Sequence, residues 1–440
     1  MSILSNTVAS SSQTESIFVP ISNTGTYRGE APETQIEAES FTGSTASDGR
    51  EHSSSETEPA SQVSLPPKPK DTRYRTLDAV RGIACLMLLL YHTTFYSEHT
   101  WSTGDPSTWS IPGLAMNLLG RMWIGVPIFF VVSGYCIASS VDSLRRKPYS
   151  ISNYFYRRFR RIYPPLWAAL VLVVGFTLLV GLNPFLSDGC LQLPTLSTFN
   201  TVDWIANVTA TASWMPPIAG SSRDYLLKNT WTLCYEEQFY VVTGLLLLFA
   251  SRYFFQACYW IAIGIVVMRP ICRSLGFGIE GFFFDGHWLL FVAGILLYEK
   301  VNYMKGRQAQ VALFAMLMGV VYGLEEYVLA GNSKDRHLGE YIVVASGFAI
   351  LLATIKRWDH HLVSHWCLRP FLWLGTISYS LYLVHFPLTV WISSMMAKLG
   401  WHSDSSVLLG TAPLCLLASL PVAWVFHLLI ERRFTNSVQR

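Results

Sequence analysis

The chain has 440 residues, 51% of them hydrophobic and 14% charged, with a mean hydropathy of +0.32 and a formal net charge of +3. A soluble domain carries about 25% charged residues, so this composition excludes an ordinary water-soluble globule. The small net charge points to no polyanionic partner, and no nucleic acid is expected, because Lys and Arg are distributed as membrane topology demands.

Residues 1–72 are rich in Ser, Thr, Glu and Gly, poor in aromatics and without helical or strand period. Such a segment buries too little apolar surface to offset its ordering entropy and reads as a disordered cytoplasmic tail. It lacks the basic start and apolar core of a secretory signal. The Phe18–Ile21 stretch is the single candidate docking motif in it, and an unremarkable tail is the commoner reading.

From residue 73 to 433 apolar runs of spanning length follow one another, which predicts an all-α polytopic membrane protein of about ten transmembrane helices. They are Leu77–Tyr96, Trp123–Ser139, Ile162–Leu182, Trp231–Ala250, Cys258–Ile271, His287–Tyr298, Val311–Val328, Tyr341–Ile355, Phe371–Met396 and Val407–Ile430. The fifth and sixth are short, with Arg269-Pro270 and Gly276, Gly278, Gly281 and Gly286 breaking the segment between them. Residues 434–440 remain as a short C-terminal tail. Lys and Arg fall mainly at Arg73, Arg75, Arg145, Arg146, Arg157, Arg158, Arg160, Arg161, Lys300, Lys305, Lys356, Arg357, Arg432 and Arg433. That alternation puts both termini in the cytoplasm. The eight cysteines show no metal-ligand or disulfide spacing, and no metal is expected.

Arg81 and His92 share the first span. Eleven helical residues advance the chain by about 16 Å and leave it roughly 20° from a whole number of turns, so both side chains project from one face. Ionisable groups inside a membrane usually face a polar pathway. Arg81 offers a planar fork of donors for phosphate or carboxylate, and also suits a snorkelling or Asp78-paired arginine. A neutral His92 can take a proton from a hydroxyl, although a lone core histidine satisfied by one neighbour is common. Span two carries Ser133 and Gly134, which permit close helix approach or backbone access to a ligand. Four arginines in five positions precede span three, and Arg158 and Arg161, three apart, can clamp two phosphate oxygens or simply enforce topology. Trp231 opens span four, followed by Glu236 and Glu237, which point about 100° apart so that at most one faces a shared cavity. In span nine, Tyr382 and His385 share a face. Asp285 and His287 are weaker candidates.

These segments resemble the acyltransferase-3 family of integral membrane O-acyltransferases. The resemblance runs from residue 73 to 433. It is carried by Leu77-Asp-Ala-Val-Arg-Gly with His92 eleven positions after Arg81, by Phe130-Val-Val-Ser-Gly-Tyr135 and by Arg158-x-x-Arg161-Ile-Tyr-Pro. Further on come Trp231-Thr-Leu-x-x-Glu236-Glu-Gln-Phe-Tyr240, Ile377-Ser-Tyr-Ser-Leu-Tyr-Leu-x-His385-x-Pro387 and Glu431-Arg432. Thr232 stands where serine is usual, and the closing segment continues Arg-Arg-Phe rather than with proline.

The resemblance implies transfer of an acyl group, often acetyl, from cytoplasmic acyl-CoA to a hydroxyl of a glycan, glycolipid or related acceptor. His92, Arg81 and Glu236 would then be catalytic, with Glu236 fixing the tautomer of His92. Arg158, Arg161, Ser133 and Gly134 would bind the acyl-CoA, and Tyr382, His385 and Trp231 the acceptor. No esterase-like domain follows span ten, so the membrane domain or a partner is expected to handle the acceptor. A bacterial plasma (inner) membrane is the expected location; in a eukaryotic one Asn207-Val-Thr would be a glycosylation acceptor. A transporter of a small anion, marked by broken spans in related halves, and a catalytically inactive scaffold are the alternatives.

Overall fold

The computed structural model describes residues 73–97, 110–146, 149–190, 192–214, 224–276, 285–331 and 336–435. The expected tail at 1–72, its Phe18–Ile21 motif, the Pro216-Pro217 step of the loop before span four and the last five residues lie outside the described residues.

Among the described residues every regular element is helical. In chain order the main ones are α1 (Thr76–His92), α2 (Ile111–Gly120), α3 (Gly125–Leu144), α4 (Ile151–Gly181), α5 (Thr201–Val208) and α6 (Trp231–Phe249). They continue with α7 (Phe254–Ser274), α8 (His287–Asn302), α9 (Gly306–Ala330), α10 (Arg336–Ile355), α11 (Arg369–Thr376) and α12 (Ser378–Lys398). The last, α13 (Asp404–Thr435), is one continuous helical stretch. The chain is an all-α, multi-pass membrane protein.

Seven helical stretches are long and apolar enough to cross a bilayer, so the expected ten is not reached on length and hydropathy. The other three expected spans fall on α1, α6 and α8, of 17, 19 and 16 residues. The reason is chemical: α1 and α8 are short, and Glu236, Glu237 and Gln238 interrupt the apolar run of α6. The helices that look least like membrane spans are those that carry polar candidates inward.

Burial sorts the helices into a core and a rim. The spanning windows through α3 and α12 are 78% and 67% buried, whereas those of α9 and α13 are 22% buried. On α9 the outward face is Val311, Phe314, Leu317, Val321, Leu324 and Val328, all exposed, as expected of a surface solvated by lipid.

Small residues let the core helices meet backbone to backbone. A Cβ at Gly134 would sit on the carbonyl of Phe291, and one at Gly294 on the carbonyl of Val131, so α3 and α8 interlock reciprocally. Gly82 and Gly375 do the same for α1 and α11, against the carbonyls of Phe371 and Asp78. This corrects the expected place of Gly134 in the donor site: its open face is filled by α8 and offers no backbone to a ligand.

Polar ends are closed by distant residues. The Arg75 and Thr76 amides at the start of α1 donate to the Asp359 carboxylate at 3.1 and 2.8 Å, and the Thr76 hydroxyl does so at 2.6 Å. A carboxylate there answers the orphan amides and the positive end of the helix dipole. At the end of α3, buried Asp142 takes Arg145 at 2.8 Å, Arg146 at 3.1 Å and the Tyr298 and Tyr303 hydroxyls at 3.0 and 2.5 Å. Asn207 is buried, its side-chain amide bonded to Asp203, Asp224 and Leu226. The Asn207-Val-Thr sequon is thus closed to a glycosylating enzyme in the folded chain.

Replacing Gly134 by Val should force α3 and α8 apart, costing about 1–3 kcal/mol as overpacking does. Thermal unfolding of the detergent-solubilised protein would show it as a lowered midpoint, and an unshifted midpoint would contradict the crossing. Asp359→Ala should lower the same midpoint less, by the ~1 kcal/mol of a lost cap.

Candidate active site

His92 closes the last turn of α1 and is fully buried. Its Nδ1 lies 3.1 Å from Nε2 of His385 on α12. The Nδ1 of His385 in turn lies 2.8 and 2.9 Å from the carbonyls of Leu381 and Tyr382. Carbonyls only accept, so His385 carries its proton on Nδ1 and offers a lone pair at Nε2. Nδ1 of His92 must then be the donor, and the lone pair of His92 is fixed at Nε2. A neutral histidine held as that tautomer is prepared to receive a proton at Nε2. Phe386 and Phe95 wall the ring edge-on, with centroids 4.9 and 5.2 Å away.

This partner differs from the expected one. The hydrogen bonds of Glu236 go to the Tyr240 hydroxyl and to Ser133, the latter at 3.3 Å. The tautomer of His92 is therefore set by His385, not by Glu236, and Ser133 supports Glu236. Tyr382 is a strut: its hydroxyl donates to the Asn229 carbonyl at 2.7 Å, while the Asn229 amide returns a 2.6 Å bond to the Tyr382 carbonyl. Asn229, fully buried, escaped the sequence reading because an Asn at a loop end carries no positional signal.

At the other end of α1, Arg81 is 2% exposed. Its Nη2 donates to Asp78 at 3.0 Å and to the Gly375 carbonyl of α11 at 3.2 Å, while Nε and Nη1 are buried with no hydrogen-bond partner. Arg161 likewise has Nε and Nη2 buried and unpartnered. Arg158 donates to Ser140 at 3.1 Å and lies over the Tyr240 ring at 5.0 Å. Arg81, Arg158 and Arg161 all act electrostatically on Cys136 of α3, and Arg158 and Arg161 also on Glu236. Three guanidiniums thus converge where Asp78 and Glu236 are the acidic partners. Unpaired N–H groups are costly inside a bilayer, and four of them, on Arg81 and Arg161, are left in this cluster.

Glu237 points away from Glu236, as their adjacency in a helix requires, and accepts from the Tyr163 hydroxyl on α4. It lines a cavity of about 340 Å³ between α4 and α6, together with Arg158, Tyr240 and Trp167. Trp231 is not brought to His92 by any of these bonds; it packs with Tyr235 and His287, centroids 5.8 and 5.6 Å away. Among the described residues no three His, Cys, Asp or Glu side chains form a metal-ligating group.

The sequence of the acyltransferase domain family, acyltransferase-3, matches residues 74–428. The peptidoglycan O-acetyltransferase OatA of Listeria monocytogenes is 24% identical over 344 residues, which cover 72% of this chain and 50% of the relative. A putative peptidoglycan O-acetyltransferase, YrhL of Bacillus subtilis, is 25% identical over 78% of the chain and 53% of its own length. The O-acetyltransferase OatA of Staphylococcus aureus is 23% identical over 72% and 51%. The chain spans about half the length of these curated relatives. No solved structure matches it. With a tautomer-fixed histidine at one end of its first helix, Arg81 at the other beside Arg158 and Arg161 of α4, and the family's domain across nearly all its helices, the chain belongs to the acyltransferase-3 family.

Proposed function

We propose that the protein is a membrane O-acyltransferase that moves an acyl group, acetyl by preference, from cytoplasmic acyl-CoA to a hydroxyl of a glycan acceptor. The observation that carries this reading is the His385–His92 relay, which leaves His92 Nε2 as the proton-accepting atom. The names of the relatives support a glycan acceptor and an acetyl group.

In this reading the acceptor oxygen attacks the thioester carbonyl carbon as its proton passes to His92 Nε2. The tetrahedral adduct then collapses, the carbon–sulfur bond breaks, and the thiolate leaves with the proton from His92. During the interval when His92 is charged, both its nitrogens donate, and His385 Nε2 stabilises the cation by accepting from Nδ1. The donor's phosphates would satisfy the unpartnered N–H groups of Arg161 with help from Arg158. Arg81, about 16 Å along the helix from His92, is suited to the donor's arm rather than to the reacting carbonyl. Glu236, held by Tyr240 and Ser133, balances part of the arginine charge. Residues 73–433 would form the transferase unit, with both termini cytoplasmic and the bacterial plasma membrane as the site of action; bacterial relatives support that location.

Membranes carrying His92→Ala should lose transfer from labelled acetyl-CoA by about 10²–10⁴-fold, the usual contribution of a positioned base. Insertion should be preserved, with the thermal midpoint lowered by the lost buried packing and hydrogen bond. Wild-type turnover by that variant would sink the assignment.

His385 offers a sharper test of the relay. His385→Gln, whose amide oxygen can accept from Nδ1 of His92, should retain more activity than His385→Leu, which cannot. A gap of at least about tenfold in kcat corresponds to ~1.4 kcal/mol of lost orientation. Equal activities would show that the tautomer is set elsewhere. Arg161→Ala should instead raise the KM for acetyl-CoA.

A further inference from the structure

A second histidine, at the start of α8, is hydrogen-bonded to a carboxylate, and the reaction described above does not use it. Asp285 and Gly286 form the turn that leads into α8, and His287 is its first residue. The Nδ1 of His287 lies 2.9 Å from Asp285 Oδ1, and the same oxygen accepts the His287 backbone N–H at 3.0 Å. The Tyr235 hydroxyl donates to Oδ2. Burial acts to raise the Asp285 carboxyl, but His287 and the hydrogen bonds of His287 and Tyr235 outweigh it and hold it below its ordinary value. A carboxylate only accepts, so the proton of neutral His287 sits on Nδ1 and its lone pair is at Nε2.

The turn is firmly held. Gly286 has φ +100°, and a Cβ there would meet Leu338 at 2.7 Å. Arg269 of α7 donates to the Asp285 carbonyl and to Glu326 of α9 at 2.9 Å, and Arg273 joins the same carboxylate at 2.6 Å. Arg269, buried and paired with Glu326 alongside exposed Arg273, thus fixes one backbone carbonyl beside the dyad.

Aromatic rings surround it. Tyr235 stacks on His287 at 4.2 Å, and Trp231 meets it edge-on at 5.6 Å. The His287 side chain is 15% exposed, and the indole Nε1 of Trp231 is buried without an acceptor. A lone pair beside an unused N–H donor matches a hydroxyl, which donates and accepts at once. Apolar ring faces next to such a pair match the C–H face of a pyranose.

Helix α6 joins this cluster to the relay. Trp231 and Tyr235 lie one turn apart on the face toward His287. Thr232 and Glu236, one turn apart on the next face, reach Tyr382 at 3.4 Å and Ser133 at 3.3 Å. Tyr382 is itself one turn before His385. Along α3, Gly125 packs on Ala84 and Leu88 of α1, while Phe130 lies 5.9 Å from His287. Because α3 runs antiparallel to α1, with Tyr135 against Tyr74 at 5.8 Å, Phe130 and the dyad stand beside the middle of α1 rather than at its His92 end.

We propose that Trp231, Tyr235, Asp285 and His287 form the subsite that holds the acceptor glycan, with His287 Nε2 accepting a hydrogen bond from a sugar hydroxyl and Trp231 carrying the apolar face of the ring. This rests on the O-acyltransferase reading, and it assigns His287 to positioning rather than to chemistry.

The test uses the full chain reconstituted in nanodiscs, with labelled acetyl-CoA as donor and a soluble N-acetylglucosamine tetramer as acceptor. His287→Phe keeps the ring stack and removes the nitrogens; Asp285→Asn keeps the size and frees the tautomer. Each should raise the acceptor KM by ~10-fold or more, the scale of a lost hydrogen bond at a polar site. The acetyl-CoA dissociation constant should stay within twofold of wild type, which separates a lost acceptor contact from general unfolding. An unchanged acceptor KM overturns the subsite, as does a fall in kcat with no change in KM. Tetramer binding measured directly, by tryptophan fluorescence, separates the two readings. Binding lost in both variants upholds the subsite even where wild-type protein transfers nothing. Equal binding in all three overturns it even where transfer is intact.

Discussion

The hydrogen bond from His92 to His385 joins the first helix of the domain to the twelfth, and much of the interior is arranged around it. Two imidazoles in an apolar bundle cannot both be charged, and they cannot both donate to each other. The carbonyls of Leu381 and Tyr382 break the symmetry by claiming the Nδ1 proton of His385. Everything that holds α12 in register therefore bears on His92: the Asn229–Tyr382 pair, the Thr232 hydroxyl, and the Tyr379 hydroxyl on the carbonyl of Ile162. Rigid packing of α12, buried over most of its length, is what keeps a histidine of another helix in one tautomer.

The opposite end of α1 follows a different rule. There the protein gathers Arg81, Arg158 and Arg161 with fewer carboxylates than cations and leaves several N–H groups without partners. A membrane protein optimised for stability alone would pair them, since an unpaired charge in low dielectric is destabilising. At the rim, buried Arg269 and exposed Arg273 share the Glu326 carboxylate at 2.9 and 2.6 Å, and Arg269 Nε is likewise buried without a partner.

Much of this was legible from residue order, for specific reasons. Helical geometry alone put Arg81 and His92 on one face, and the structure turns them to the consecutive helices α11 and α12. The divergence of Glu236 and Glu237 followed from adjacency. What residue order could not give was partnership across hundreds of positions. His385 was expected as an acceptor contact and is hydrogen-bonded to His92; of the two readings of Gly134, close helix approach is the one the packing on Phe291 makes. Asp359 lay in a polar connection with no mark of its role as a cap. The span count suffered from the same cause: a helix that carries functional polarity is less hydrophobic by necessity, so α6 is the hardest to recognise by hydropathy.

The cap on α1 has a consequence for how the protein is made. The bonds that order α1 reach forward by 278 residues to Leu352, 283 to Asp359, 293 to His385 and 294 to Gly375. The first helix leaves the ribosome early, yet its amide end stays unanswered and its histidine unoriented until the last quarter of the chain has entered the membrane. A nascent or truncated chain holds Arg81 and His92 but no relay. The hydrogen-bonded imidazole pair is completed near the end of synthesis, and only in a chain whose bundle is almost closed.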